Sequence, residues 1–159
     1  MPVPLPPDDH VYDKAKYHYD GNFPDGLPHK QAFVHTGLFL GWLADNHLLS
    51  EEMEEDGEEE LERFRRRQIT GPELFEYWDG ALVADMLTEE GNAFVYEYFE
   101  FKHGTYLDDY EQLLSAVLPT MYHVQDTWEN YERLRQRIDQ RHREWKQSQQ
   151  PAKPWWRFW

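Results

Sequence analysis

Residues Pro28–Asn46 read PHKQAFVHTGLFLGWLADN, and the reading of this stretch decides the architecture. Phe33, Leu40, Trp42 and Leu43 fall around most of a helical circumference rather than along one stripe, the pattern of a central helix buried on all sides. Further helices must then cover it. Gly37 and Gly41 lie four apart on one face, where they let a neighbouring element approach closely at a cost in helix propensity. The apolar-rich part, Ala32 to Ala44, is interrupted by His35 and Thr36 and is too short to span a bilayer.

Working downstream, Ser50 predicts the cap of a second helix reaching about Arg67. In it nine acids between Glu51 and Glu62 precede Arg63, Arg65, Arg66 and Arg67, an order that suits the helix macrodipole. Gly57 is placed to break it in two, and only Met53, Leu61 and Phe64 offer apolar anchorage, so the segment belongs on the surface. Thr70-Gly71-Pro72-Glu73 is a capping-box start for a helix burying Leu74, Phe75 and Trp78. Asp79-Gly80 ends or bends it, with Leu82, Val83 and Met86 continuing the apolar face. Ala93–Phe101 suits helix or strand, and helix is favoured, with Gly104 as its stop. Thr105 to Asp108 is a second capping-box pattern, opening a helix that Pro119 closes. Asp126 with Glu129 caps a last helix carrying Trp128, Tyr131, Leu134, Ile138 and Trp145 on one stripe.

Upstream, Tyr12 to Asp25 mixes aromatics with turn residues and reads as irregular structure or a short hairpin. The expected fold class is therefore mainly α. A single-domain bundle of five to seven helices spans 12–146, between a Pro-rich extended arm, 1–11, and a basic aromatic tail, 147–159. The terminal PWWRFW suits a membrane-interface anchor, a partner hot spot or an intramolecular latch, and folding back onto the domain is favoured.

Composition narrows the function classes. With 159 residues, 40% hydrophobic and 16% aromatic, the chain can build one sizeable core despite a mean hydropathy of -0.93. Cysteine is absent, which removes disulfides, thiol nucleophiles and thiolate metal sites and fits a reducing compartment. No secretory signal is readable, so the cytoplasm is the expected location. Residues 1–132 carry 29 acidic and 8 basic side chains, and residues 133–159 carry 2 and 8, giving a body at -21 and a tail at +6. Such a body repels nucleic acid and anionic lipid and attracts a basic protein.

Chemical motifs are few. Of eight histidines none sits in HExxH, and the closest pair, His29 and His35, falls on different helix faces. His35 on an apolar helix reads as a hydrogen-bonded core histidine, so neither a metal nor a cofactor is expected. Ser50, Ser115 and Ser148 lie in no nucleophile elbow, and no phosphate-cradling glycine loop is present. Thirty-one acids supply close carboxylate pairs in any fold, so pairing carries no signal for catalysis. The expectation is a protein that is not an enzyme.

Six stretches, KYHYDGNFPDGLP (16–28), HTGLFLGWLADNHLLS (35–50), RRRQITGPELFEYWDG (65–80), EEGNAFVYEYFE (89–100), YLDDYEQLL (106–114) and DTWENYERLRQRID (126–139), resemble a family of small acidic bacterial proteins of uncharacterised domain type. The similarity runs from about Tyr12 to Lys146. Members are encountered beside polymorphic toxins. The resemblance implies an immunity protein that neutralises a cognate type VI or contact-dependent effector domain. It implies no catalytic residues. The candidate partner-binding surface is Glu54, Glu55, Asp56, Glu58, Glu59 and Glu62, extended by Asp108, Asp109 and Glu111. The alternatives are a non-inhibitory adaptor or scaffold and an unrecognised hydrolase.

Overall fold

The central helix forms where expected. In the computed structural model, which describes residues 4–150, His29–Phe33 make one 3-10 segment that runs directly into α2 (Val34–Asp45). Every residue of α2 from Val34 to Ala44 is buried. The helix lacks an amphipathic stripe because other elements cover its whole circumference.

Before it come β1 (Val11–Lys14) and α1 (Ala15–Tyr19). After it come α3 (Glu51–Asp56), α4 (Glu58–Arg65), α5 (Gly71–Tyr77), β2 (Ala81–Val83), α6 (Glu89–Tyr98), α7 (Tyr106–Tyr110), which continues as a π-helical turn over Glu111–Ser115, and α8 (Trp128–Gln149). Among the described residues the fold is mainly helical, with eight α-helices and one two-stranded antiparallel sheet. None of these helices is long and apolar enough to cross a membrane. The tail motif PWWRFW lies outside the described residues, and α8 continues past Lys146 to Gln149.

Glycine sets the tightest packing. A Cβ on Gly37 would lie 2.4 Å from Pro72 Cα, and one on Gly71 would lie 2.3 Å from the Gly37 carbonyl oxygen, so α2 and α5 touch backbone to backbone. Gly41 is looser: its neighbour is the edge of the Phe64 ring at 3.0 Å. The remaining sides of α2 are covered by aromatics. Phe39 packs on Phe99 and Tyr106, with ring centroids 4.7 and 5.0 Å away, and Trp42 packs on Phe94 at 5.4 Å. The polar tip of Trp42 reaches Asp139 Oδ1 on α8 at 2.8 Å, which is how a fully buried indole satisfies its N–H.

Local signals hold at two helix starts and fail at others. Ser50 Oγ accepts the Met53 N–H, and Thr70 and Glu73 form the reciprocal capping box. Gly57 divides the acidic helix into α3 and α4. By contrast Leu82 and Val83 belong to β2 and not to a continued helix, because Asp79 (φ 57°) and Gly80 (φ 65°) both take the left-handed conformation and turn the chain out of α5. The partner of β2 is β1, with Asp13 opposite Leu82 and Lys14 opposite Ala81, so the N-terminal region forms a long-range strand pair instead of a local hairpin. Thr105 makes no side-chain cap, α6 ends at Tyr98 before Gly104, and Thr127, not Asp126, caps α8 by accepting the Asn130 N–H. Asp126 is drawn away by the Thr70 hydroxyl at 2.5 Å.

Gly37→Ala should cost about 2 kcal/mol or more, because a backbone contact cannot yield, although Ala is intrinsically the better helix former by about 1 kcal/mol. Gly41→Ala should cost less than half as much, since a ring edge can move. Urea unfolding of the two variants checks the order; equal midpoints would show that α2 and α5 do not meet through their backbones.

Candidate functional site

The acidic helices hang on few apolar side chains. Leu61 and Phe64 of α4 are buried, whereas Glu55, Asp56, Glu58, Glu59 and Glu62 are exposed. Glu54 is engaged within the fold: Arg65 donates to both its oxygens at 2.7 and 2.9 Å, and this pairing holds its carboxyl below the ordinary range. Glu62 pairs with Arg66 at 2.7 Å and Glu60 with Arg63 at 3.1 Å. Among the described residues Glu51, Glu52, Glu55, Asp56, Glu58 and Glu59 make no ion pair, which leaves a surplus of negative charge on one surface. Trp78 packs under the junction of the two helices, where a Cβ on Gly57 would meet its ring at 2.5 Å. Tyr77 beside it is 50% exposed. The acidic surface therefore has an aromatic shoulder.

The other candidate acids do not act as one group. Asp108 and Glu111 are exposed on α7 and its π-helical continuation, which pack on α8. Asp109 corrects the sequence expectation outright: it is 2% exposed and cannot meet a partner. Arg141 grips it with Nε on one oxygen and Nη2 on the other, both at 2.9 Å; Arg137 donates at 2.8 Å and the Tyr98 hydroxyl at 2.8 Å. Burial alone would raise the Asp109 carboxyl, but these hydrogen bonds outweigh it and hold the group below its usual value.

A second constellation was not legible in the sequence. An irregularity in β1 between Val11 and Asp13 interrupts the strand's alternation, so Tyr12 and Asp13 are both buried. Asp13 thereby faces α2. Its Oδ2 accepts the Thr36 hydroxyl at 2.6 Å and lies 3.4 Å from His35 Nε2, and its Oδ1 is 2.7 Å from His18 Nε2. The two imidazole Nε2 atoms stand 3.2 Å apart. His18 Nδ1 is 2.9 Å from the Tyr122 hydroxyl, and Phe101 flanks both histidine rings. Burial pushes the Asp13 carboxyl up, yet the hydrogen bonds from His18 and His35 hold it well below the carboxylate range. Burial lowers the His35 imidazole and outweighs the hydrogen bond and attraction of Asp13. The group joins β1, α1, α2 and the turn at Met121–His123, whose contributions lie far apart in the chain. The only sequence signal was His35 on a buried helix, where its ring needs a polar partner.

A third feature is a cleft of about 380 Å³ lined by Lys30, Gln31, Pro72, Glu73 and Asp126 among others. Burial raises the Asp126 carboxyl, and the Thr70 hydroxyl that it accepts also receives the Glu73 N–H. This arrangement ties the start of α5 to the approach to α8 through Asp126 Oδ2.

A family model described as Domain of unknown function (DUF7832) matches residues 11–124. The match takes in α3, α4, Asp13, His18, His35 and Tyr122. No curated protein and no solved structure matches the chain.

Asp109→Asn should lower stability at pH 7 by about 2–3 kcal/mol, the low end for a broken buried ion pair because Arg137 and Arg141 can turn to water. An ordinary Asp titrates near 3.9, and Asp109 is held below that when folded. Its contribution is then complete above about pH 5 and is lost as pH falls through the folded value. Urea unfolding at pH 7 and pH 3 should show the gap between variant and wild type narrowing at the lower pH. A gap of constant size would count against the clamp.

Proposed function

The chain belongs to the family Domain of unknown function (DUF7832), and we propose that it acts as an immunity protein, binding and neutralising a cognate bacterial toxin through the acidic surface of α3 and α4. The observation that carries the reading is the set of exposed acids, Glu55, Asp56, Glu58 and Glu59, to which the fold supplies no counter-cation among the described residues. A helix pair that needed these charges only for its own stability would gain more from i,i+4 pairs such as Glu62–Arg66. Acids left unpaired repel one another, a cost that a basic partner removes on binding.

Charge alone supplies approach speed and selectivity more than residence time. Tight binding needs a desolvated anchor, and large aromatics dominate such hot spots. Tyr77, held beside the half-buried Trp78 at the Gly57 junction, is placed to serve as that anchor. Exposed carboxylates suit a basic cleft that otherwise holds nucleic acid or a phosphorylated cofactor. The toxin class this favours is a nuclease or an ADP-ribosylating enzyme.

If the adjacent gene encodes the toxin, co-expression with this chain should restore growth to a host that the product of that gene alone arrests. The triple variant E55K/E58K/E59K should fold normally, because none of the three makes an intramolecular ion pair among the described residues, and should weaken binding tenfold or more at low salt. Tyr77→Ala should weaken binding chiefly through faster dissociation. Rescue undiminished in the triple variant removes α3 and α4 from the mechanism, and binding without rescue makes the protein an adaptor.

A further inference from the structure

We propose that Asp13, His18 and His35 form a binding site for a divalent transition-metal ion of the zinc class. The inference is independent of the acidic surface, which shares none of these residues. It rests on where three potential ligand atoms stand: a carboxylate oxygen of Asp13 and the Nε2 atoms of His18 and His35 all lie within 4.8 Å of one another. Zinc binds imidazole nitrogen and carboxylate oxygen at about 2.0–2.2 Å, so neighbouring ligands in a tetrahedral shell are about 3.3 Å apart. The two imidazole Nε2 atoms are 3.2 Å apart, His18 Nε2 is 2.7 Å from Asp13 Oδ1, and His35 Nε2 is 3.4 Å from Asp13 Oδ2. With one ligand atom of each residue already inside 4.8 Å of the others, rotation of the carboxylate and small shifts of the two rings would place all three on one ion.

Proton counting favours the same conclusion. Two imidazole Nε2 atoms face each other across 3.2 Å while both face one carboxylate, which only accepts. If both Nε2 atoms carry protons, neither bonds the other. If His35 Nε2 is bare, its lone pair points toward Asp13. His35 Nδ1 is buried without a hydrogen-bond partner among the described residues, so it is unserved in either tautomer. Moving the His35 proton to Nδ1 forfeits only the 3.4 Å contact to Asp13 and frees Nε2 for a cation. One ion then satisfies both nitrogen lone pairs and the carboxylate together.

The surroundings orient two of the three ligands, His18 and Asp13, in the way metal sites use. His18 places its other nitrogen 2.9 Å from the Tyr122 oxygen, which can accept the Nδ1 proton when Nε2 binds metal. The Thr36 hydroxyl holds Asp13 Oδ2, leaving Oδ1 turned toward His18. Asp13 and His35 are almost fully buried, whereas the His18 side chain is 17% exposed and gives the ion its path of entry. Three protein ligands leave a fourth position for water on that side. The ion would pin β1 and α1 onto the first turn of α2.

The test uses the full chain, freed of metal with chelator and titrated with Zn²⁺ and Co²⁺ by calorimetry and absorbance. Saturable binding of one ion is expected, with the visible bands of Co²⁺ in a low-coordinate nitrogen and oxygen environment and a rise of about 5 °C in Tm at saturation. His18→Ala, partly exposed and so tolerated by the fold, should weaken binding tenfold or more and abolish the Co²⁺ bands. His29→Ala and His47→Ala, at exposed positions, should leave both intact. Absence of a saturable site for either ion, or wild-type affinity in His18→Ala, would overturn the proposal.

Discussion

A helix buried on every side imposes the order of everything else. α2 has no solvent face, so each of its edges must be closed by an element from another part of the chain: α5 at its glycines, α4 through Phe64, α8 through Tyr131, and the aromatic layer of Phe94, Phe99 and Tyr106. The closest contact is the backbone of Gly37 against Gly71 and Pro72. Because Pro72 is also in the first turn of α5, the residue that starts one helix rests on the other. Neither helix can shift without moving the second, and the remaining elements pack against a pair of fixed relative position.

Burying so much of the chain forces polar groups inward, and the helices divide the work of satisfying them. The arginines of α8 account for much of the charge asymmetry along the sequence. Arg137 and Arg141 neutralise Asp109, and Arg135 bonds Glu132 and Asp139, whose other oxygen receives the Trp42 indole. Arg135, Arg137 and Arg141 of α8 are thus committed to the protein's own fold. Among the described residues the acids of α3 and α4 receive Arg63, Arg65 and Arg66, and Glu54 also lies 3.9 Å from His47 Nδ1. The negative charge that reaches solvent on α3 and α4 is therefore concentrated rather than averaged out.

Patterns confined to one or two turns were legible. The even apolar spread of α2, the Ser50 cap, the Thr70 capping box and the break at Gly57 each depend on residues within a few positions of one another, and the structure contains all four. What escaped depends on distant partners. Leu82 and Val83 continue an apolar pattern that suits a helix until β1 arrives to pair with them. Asp109 sits in an acidic run, YLDDYE, where adjacent Asp108 is exposed and looks identical in sequence; only arginines from α8 and the Tyr98 hydroxyl distinguish the two. The acidic surface could be read because exposed helices carry their own charge pattern. The Asp13, His18 and His35 cluster could not, since no two of its members share a helix face.

The strand irregularity links these levels. Had β1 kept strict alternation, burial of Tyr12 would have sent Asp13 to the opposite face, leaving Thr36 and His35 as buried polar groups without a carboxylate. The interruption at Val11 to Asp13 instead gives Tyr12 to the Asn92 amide oxygen and Asp13 to α2 in consecutive positions. One extra residue in the strand thus serves two interior polar sites. A cluster that served packing alone could be replaced by apolar side chains of similar volume at little cost in stability. That the fold accommodates a bulge to bring a carboxylate between two imidazoles is a local departure from the cheaper solution, and such departures concentrate where a site has chemistry to perform.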